Sequence, residues 1–447
     1  MPEDTIVAPA TAQGRGAISM VRLSGSEAFS IAKKIFRPAG KILPRRVLYG
    51  KFYDFQENTF FDDGMGIFYR SPRSYTGEDM VELTPHGNPV IVWRIVELAV
   101  EAGARLARPG EFTYRAFLNG KMDLVRAEAV EDLVEAQSLE GVKLSFSQLQ
   151  GSLSQKIEGL RESLLSAAVL LETGIEFPDQ GIEIERPRLQ EAIREALERI
   201  EELLSLFETG KQLLEGITLV LVGKPNAGKS SIFNALLEEE RAIVTEVPGT
   251  TRDFLREKLI IDGVAFIIID TAGMNPVPKD EIEREGMRRA ELLIQESDGV
   301  LLVLDGSSPL EPADRKLMKM TEGKKKVVLI NKADLPLVLS PEEIKRLLGL
   351  PPLIVSAKTR EGLEKLRVFL KENFLKALPP QKLYINSRQR ISLQKAARHL
   401  KEALALQAEE LIAEQLRGAI GALDELLGKI TPGDILNSIF SRFCIGK

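Results

Sequence analysis

Three residue types are nearly missing from this chain of 447 residues: it has one cysteine, Cys444, two histidines and one tryptophan. A single thiol excludes an intrachain disulfide framework, and two histidines leave little from which to build a transition-metal site. Long hydrophobic runs are missing as well. No apolar stretch approaches the roughly 20 residues that span a bilayer, and no basic segment with a long apolar core opens the chain. Neither a membrane span nor a signal peptide is expected, and a cytoplasmic location follows. Nor is positive charge in excess: 60 Lys and Arg against 65 Asp and Glu give a net charge of −5. That argues against broad nonspecific nucleic-acid binding and leaves room only for a local basic face. What is present is ordinary for a water-facing globular chain, 44% hydrophobic and 28% charged, long enough for two to four domains.

The most informative stretch is ITLVLVGKPNAGKSS, residues 217–231. An apolar run breaks at Gly223 and passes through Asn226-Ala227-Gly228-Lys229-Ser230-Ser231 into SIFNALL, where apolar residues recur at helical spacing. The spacing predicts strand, phosphate loop, helix. Glycines allow a turn tight enough for backbone N–H groups to surround phosphate oxygens, and the start of the helix adds favourable potential. Lys229 is then expected on the terminal phosphates and Ser230 on Mg²⁺.

Four more segments follow in the order of a guanine-nucleotide domain. Pro248-Gly249-Thr250-Thr251-Arg252-Asp253 supplies Thr251 as a second hydroxyl for Mg²⁺ in a switch. VAFIIID ends in Asp270-Thr271-Ala272-Gly273, with Asp270 expected in the Mg²⁺ shell and Gly273 near the γ-phosphate. Asn331-Lys332-Ala333-Asp334 follows the run VVLI; the carboxylate of Asp334 accepts two hydrogen bonds from guanine that adenine cannot offer. Ser356-Ala357-Lys358 is expected to close over the base. GTP is the expected ligand.

The rest of the chain divides around this domain. Residues 1–119 mix strand-like runs with turns and a helical VIVWRIVELAVEAGARLA, an α+β pattern. From Leu124 the chain reads as long helices, with Leu189, Ile193, Leu197, Ile200 and Leu204 on one stripe. Helical pattern resumes at SLQKAARHLKEALALQAEELIAEQLRGAIGALDELLG. The simplest inference is one helical domain in two pieces, 120–216 and 379–447, with a Ras-like P-loop GTPase domain inserted at 217–378 and Pro379-Pro380 at its boundary. The fold class is therefore multidomain, α/β plus all-α. From composition alone, Arg22, Glu82 and Lys121 read as surface charge. Arg388, Arg390, Arg398 and Lys401 read either as a solvated face or as RNA contacts. Cys444 has no neighbouring base in sequence.

With PNAGKSS, PGTTRD, DTAG and NKAD in one domain and CIGK at the last residues, the chain closely resembles the MnmE (TrmE) family of tRNA-modification GTPases over its whole length. The resemblance implies a homodimer that works with the FAD-dependent partner MnmG (GidA) as a heterotetramer. Its implied task is to build an aminomethyl or carboxymethylaminomethyl group on C5 of the wobble uridine, U34, of certain tRNAs. It also implies a tetrahydrofolate-binding and dimerisation role for residues 1–119. There Arg22, Glu82 and Lys121, joined by Lys447 from the other subunit or from the returning chain, hold 5-formyl- or 5,10-methylene-tetrahydrofolate. Met274 follows Gly273 where many GTPases place a catalytic glutamine. The resemblance instead implies K⁺, held by Asn226, backbone oxygens of Thr245 and Val247, and Thr250, and it points to Glu283 as the group that positions water. Asn275 and the two prolines of NPVPKD depart from the family pattern, so Glu281 is the reserve candidate. The nucleotide loops by themselves leave a regulatory or ribosome-assembly GTPase open.

Overall fold

The computed structural model describes residues 4–176, 185–241, 255–270, 288, 291–375, 383–431 and 433–447. It divides into two compact units: Met1–Glu131, Gln148–Leu204 and Ser387–Lys447 form one, and Asp132–Ser147 with Ser205–Asn386 form the other.

The first unit is built on strands β1 (Ile6–Pro9), β2 (Val21–Ser24), β3 (Phe36–Pro38), β4 (Val47–Asp54), β5 (Thr59–Tyr69), β6 (Met80–Thr84) and β7 (Arg105–Leu106), in the order β3-β4-β5-β6-β2-β1-β7. All pairs are antiparallel except β1 with β7. Alternation along β2 and β6 sends Val21, Leu23, Val81 and Leu83 into a core with helices 28–35 and 89–101. Arg22 and Glu82, direct cross-strand partners, therefore share the opposite face. Helix 89–101 starts where Asn88 accepts from the Val90 amide and Pro89 fills the first turn. It stops before the expected GARLA, because Gly103 takes φ +114° and β7 begins two residues later.

The helical part is more broken than its pattern suggests. The run from Leu124 forms helices 124–135, 139–149 and 152–176, with Gly151 at φ +97° in the second break. Along helix 186–205 the fully buried stripe is Ile193, Ala196, Ile200 and Leu203, while Leu189, Leu197 and Leu204 only flank it. Helices 387–405 and 409–427 approach closely enough that a Cβ at Gly418 would lie 2.7 Å from the His399 ring. Arg388 lies on neither an open face nor an RNA-ready one. Its guanidinium donates to Glu128 Oε2 at 2.8 Å and to the Leu426 carbonyl at 3.0 Å, so it secures the C-terminal end of helix 409–427.

The residues after that helix return to the β-sheet. Phe440 and Phe443 pack with Tyr114 and Phe117, and the Phe112 amide donates to the Lys447 carbonyl at 3.2 Å. Gly446 sits at φ +96°, where an added Cβ would lie 2.0 Å from the Pro9 carbonyl, so only glycine fits.

In the second unit, β8 (Ile217–Val222), β9 (Leu255–Ile261), β10 (Val264–Asp270), β11 (Gly299–Asp305), β12 (Lys326–Asn331) and β13 (Leu353–Ile354) form a sheet in the order β13-β12-β11-β8-β10-β9. Only β9 runs antiparallel. The near-continuous apolar runs of β8, β10 and β11 match strands covered on both faces, by the clusters around Leu219 and Val220. Strand order reverses beside β8, which opens a crevice at its carboxyl end. Tyr384, fully buried, donates its hydroxyl to Asp132, and Gly210 lets the backbone of helix 207–215 press against the Tyr384 Cβ. Among the described residues no helix is long and apolar enough to cross a membrane.

Candidate functional site

At the carboxyl end of β8 the chain turns through residues 223–228 into helix 229–241. Asn226 and Gly228 both take positive φ, +65° and +91°. At Gly228 a Cβ would lie 2.1 Å from the Asn331 side-chain nitrogen, and at Gly223 one would lie 2.5 Å from the Val303 carbonyl. The loop can be this tight only with glycine at both points. Lys229 is 5% exposed, and its ammonium donates to the Gly223 and Lys224 carbonyls at 2.8 and 3.1 Å. Burial pushes its pKa down, and Asp270 opposes that shift. An ammonium held in this way lies folded over the loop it would share with phosphate. Ser231, two residues further along the helix, is exposed.

The Ser230 hydroxyl donates to Asp270 Oδ2 at 2.7 Å. Asp270 is 1% exposed, yet its Oδ1 has no hydrogen-bond partner among the described residues. An orphaned buried carboxylate oxygen beside a hydroxyl at the end of β10 suits a hard divalent cation that takes oxygen ligands and keeps several waters. Ser230 and Asp270 thus fit Mg²⁺.

Three loops build the base end. The Asn331 side chain donates to the Ala227 carbonyl at 2.9 Å and accepts from the Ala357 amide at 3.2 Å, tying the phosphate loop to the segment after β13. Lys332, at φ +68°, reaches back to Asp305 Oδ2 at 2.6 Å. Asp334 accepts from the Ser356 hydroxyl at 2.7 Å, which holds its carboxyl below the ordinary aspartate range; Lys358 lies 3.9 Å from the other oxygen. The carboxylate is thereby fixed as a charged acceptor.

Sequence reasoning missed one contact here. Lys224 pairs with Asp314 Oδ2 at 3.1 Å and with Glu311 at 3.3 Å, joining the phosphate loop to the start of helix 312–320. Ninety residues separate the partners, and no motif marks them. Asn226 is exposed at the loop crest. Thr245, Val247, Thr250, Thr251, Thr271, Ala272, Gly273, Glu281 and Glu283 lie outside the described residues.

A second polar site occupies the first unit. Arg22 Nε donates to Glu82 Oε1 at 2.8 Å, the Tyr69 hydroxyl donates to Oε2 at 2.9 Å, and Arg22 Nη1 donates to the Gly446 carbonyl at 3.2 Å. Burial and then the Glu82 bond push the Tyr69 pKa up to about 12. Lys121 donates to the Pro72 carbonyl at 3.0 Å. Glu82, Tyr69 and Lys121 line a cavity of about 550 Å³ together with Arg45, Arg73, Ser74, Tyr75 and Met80. Arg22, Glu82 and Lys121 thus converge, and the residues after helix 433–440 bring the Gly446–Lys447 backbone to the same face within one chain. The tyrosines and Arg45 and Arg73 match no motif; of these, the strand pattern could have found Tyr69 alone, at the end of β5 beside β6.

Two protein-family comparisons cover this chain: the MnmE helical domain matches residues 124–444, and the GTP-binding protein TrmE N-terminus matches residues 5–121. Among curated proteins, the tRNA modification GTPase MnmE of Thermotoga maritima is 41% identical over 452 residues, covering 99% of this chain and 100% of the relative. Its namesake from Aquifex aeolicus is 43% identical over 459 residues, with 99% and 100% covered. That from Geobacter sulfurreducens is 42% identical over 460 residues, with 100% and 99% covered.

Proposed function

The chain belongs to the MnmE family of tRNA modification GTPases, and on that premise we propose that it hydrolyses GTP to GDP and phosphate in the service of tRNA modification. The observation that carries this reading is the fixed, charged Asp334 acceptor joined through Asn331 to a phosphate loop with Lys229, Ser230 and Asp270. Loop amides receive the phosphates, and Lys229 exchanges its two carbonyls for phosphate oxygens. Ser230, Asp270 and Thr251 would hold Mg²⁺, which when bound would offset charge on the transferring phosphoryl group. Asn226, Thr245, Val247 and Thr250 would hold K⁺, whose charge would stand in for an arginine finger. Glu283 positions the attacking water.

The finer reading follows the family. The chain acts in the cytoplasm as a homodimer with the FAD-dependent partner and modifies C5 of U34 in tRNA. It comprises three domains, 1–119, the split helical 120–216 and 379–447, and the inserted 217–378. Arg22, Glu82, Lys121 and Lys447 bind a reduced folate that supplies a one-carbon unit; the polar, part-aromatic cavity at Glu82 supports that assignment.

Hydrolysis by the purified chain in KCl and NaCl at equal ionic strength, with calorimetry of 5-formyl-tetrahydrofolate on the same sample, tests both halves. Potassium is expected to raise turnover well beyond sodium, Asn226→Ala to erase the difference, and folate to bind. Equal rates without folate binding would leave a regulatory or ribosome-assembly GTPase as the better reading.

A further inference from the structure

Three of the eight residues lining the Glu82 cavity are cationic, Arg45, Arg73 and Lys121, against one acid. That acid is already engaged: Arg22 takes one Glu82 oxygen and Tyr69 the other. The positive charge facing the cavity is therefore uncompensated from within. Other cations of this face have partners, Arg70 with Asp79 at 3.9 Å and Lys121 with the Pro72 carbonyl at 3.0 Å. The guanidinium groups of Arg45 and Arg73 make no hydrogen bond or ion pair among the described residues.

Their backbones, by contrast, are held. Arg45 takes φ +63° and donates its amide to the Phe68 carbonyl at 2.8 Å, and the Arg73 amide donates to the Arg70 carbonyl at 2.8 Å. Arginine gains nothing from a left-handed backbone, which favours glycine or asparagine, yet the turn here carries an arginine whose side chain lines the cavity. A planar guanidinium with five donors matches carboxylates in a bidentate way. The three cations come from separate segments, before β4, between β5 and β6, and after helix 111–118. Cations carried by three separate segments can each meet a separate carboxylate along a flexible chain. Tyr69, Tyr75 and Met80 supply flat and apolar wall for a ring system at the same cavity.

We propose that Arg45 and Arg73 form a clamp for a γ-linked polyglutamate tail, so that this cavity selects polyglutamylated over monoglutamylated folate. The inference rests on the folate reading above and adds the specificity. Calorimetry of 5-formyl-tetrahydrofolate carrying one or three glutamates, with the full chain and its Arg45→Gln/Arg73→Gln double variant, tests it. Both side chains are exposed, so the variant keeps its fold. The triglutamate form is expected to bind about tenfold tighter at low salt, a preference that shrinks as salt rises. In the double variant the preference falls below about twofold while the monoglutamate still binds. Equal affinities in the unaltered chain, or a preference that survives in the double variant, would overturn the clamp and leave folate binding standing. Binding of neither form would remove the folate reading, and the clamp with it.

Discussion

Asp334→Asn is expected to weaken GTP binding at least a hundredfold and to admit xanthosine triphosphate in its place. The Asp334 carboxylate is fixed by the Ser356 hydroxyl at 2.7 Å, and Asn331 and Ala357 hold the adjoining loops in register. Guanine presents two donors, N1–H and the exocyclic amine, and each charge-assisted hydrogen bond is worth about 1.5–3 kcal/mol. An asparagine turns one acceptor into a donor that faces the amine. One bond inverted into a donor–donor clash, with the other stripped of its charge assistance, corresponds to about 3–6 kcal/mol, roughly 10²–10⁴ in affinity. Xanthine carries a carbonyl where guanine carries the amine, so its pattern complements the amide. Fluorescence titration with labelled GTP and XTP reads both affinities; a variant that holds GTP within threefold of the original would show that Asp334 does not read the base.

Glu283→Ala is expected to lower the rate of hydrolysis by about 10²–10⁴ with GTP affinity changed less than twofold, as removal of a group that orients or deprotonates water does. Met274, after Gly273, has no polar group for that task. Glu281→Ala serves as the companion, because the prolines of NPVPKD shift the register between the DTAG segment and these carboxylates. A large loss in the Glu281 variant and none in the Glu283 variant reassigns the role by two residues. Single-turnover hydrolysis with radiolabelled GTP separates the rate from the affinity.

The Asp334 prediction depends on a side chain whose position follows from a strand end, and such positions are the most legible in sequence; Glu283 lies outside the described residues. Asp270 closes β10, Asn331 closes β12, and Ser356 follows β13, so hydrophobic runs alone locate them at one edge of a parallel sheet. Gly228 was legible for the same reason. The 2.1 Å approach of Asn331 to its missing Cβ is the physical content of the motif.

Contacts between distant segments were not legible. Lys224 and Asp314 meet only because two loops reach the same end of the sheet, and Arg388 finds Glu128 across 260 residues. A basic helix face in sequence does not announce that one of its arginines is half-buried. Along helix 186–205 Ile193 and Ile200 of the expected stripe are buried, while Ala196 and Leu203, rather than Leu197 and Leu204, complete it. Periodicity fixes that a stripe exists, and its neighbours fix where it lies. The Glu82 cavity combined both cases. Pairing of β2 with β6 put Arg22 opposite Glu82, but Arg45 and Arg73 enter from turns that no pattern connects to it.

The central claim is that GTP hydrolysis by this chain drives modification of tRNA. Its most direct test incubates the purified chain with the proposed FAD-dependent partner, unmodified tRNA, a reduced folate and an amine source, ammonium or glycine. Each reaction receives GTP, ATP or a non-hydrolysable GTP analogue, and nuclease digests of the tRNA are then read by mass spectrometry. The account predicts a C5-substituted uridine at position 34 with GTP alone. The same product with the non-hydrolysable analogue, or none with GTP, would contradict it.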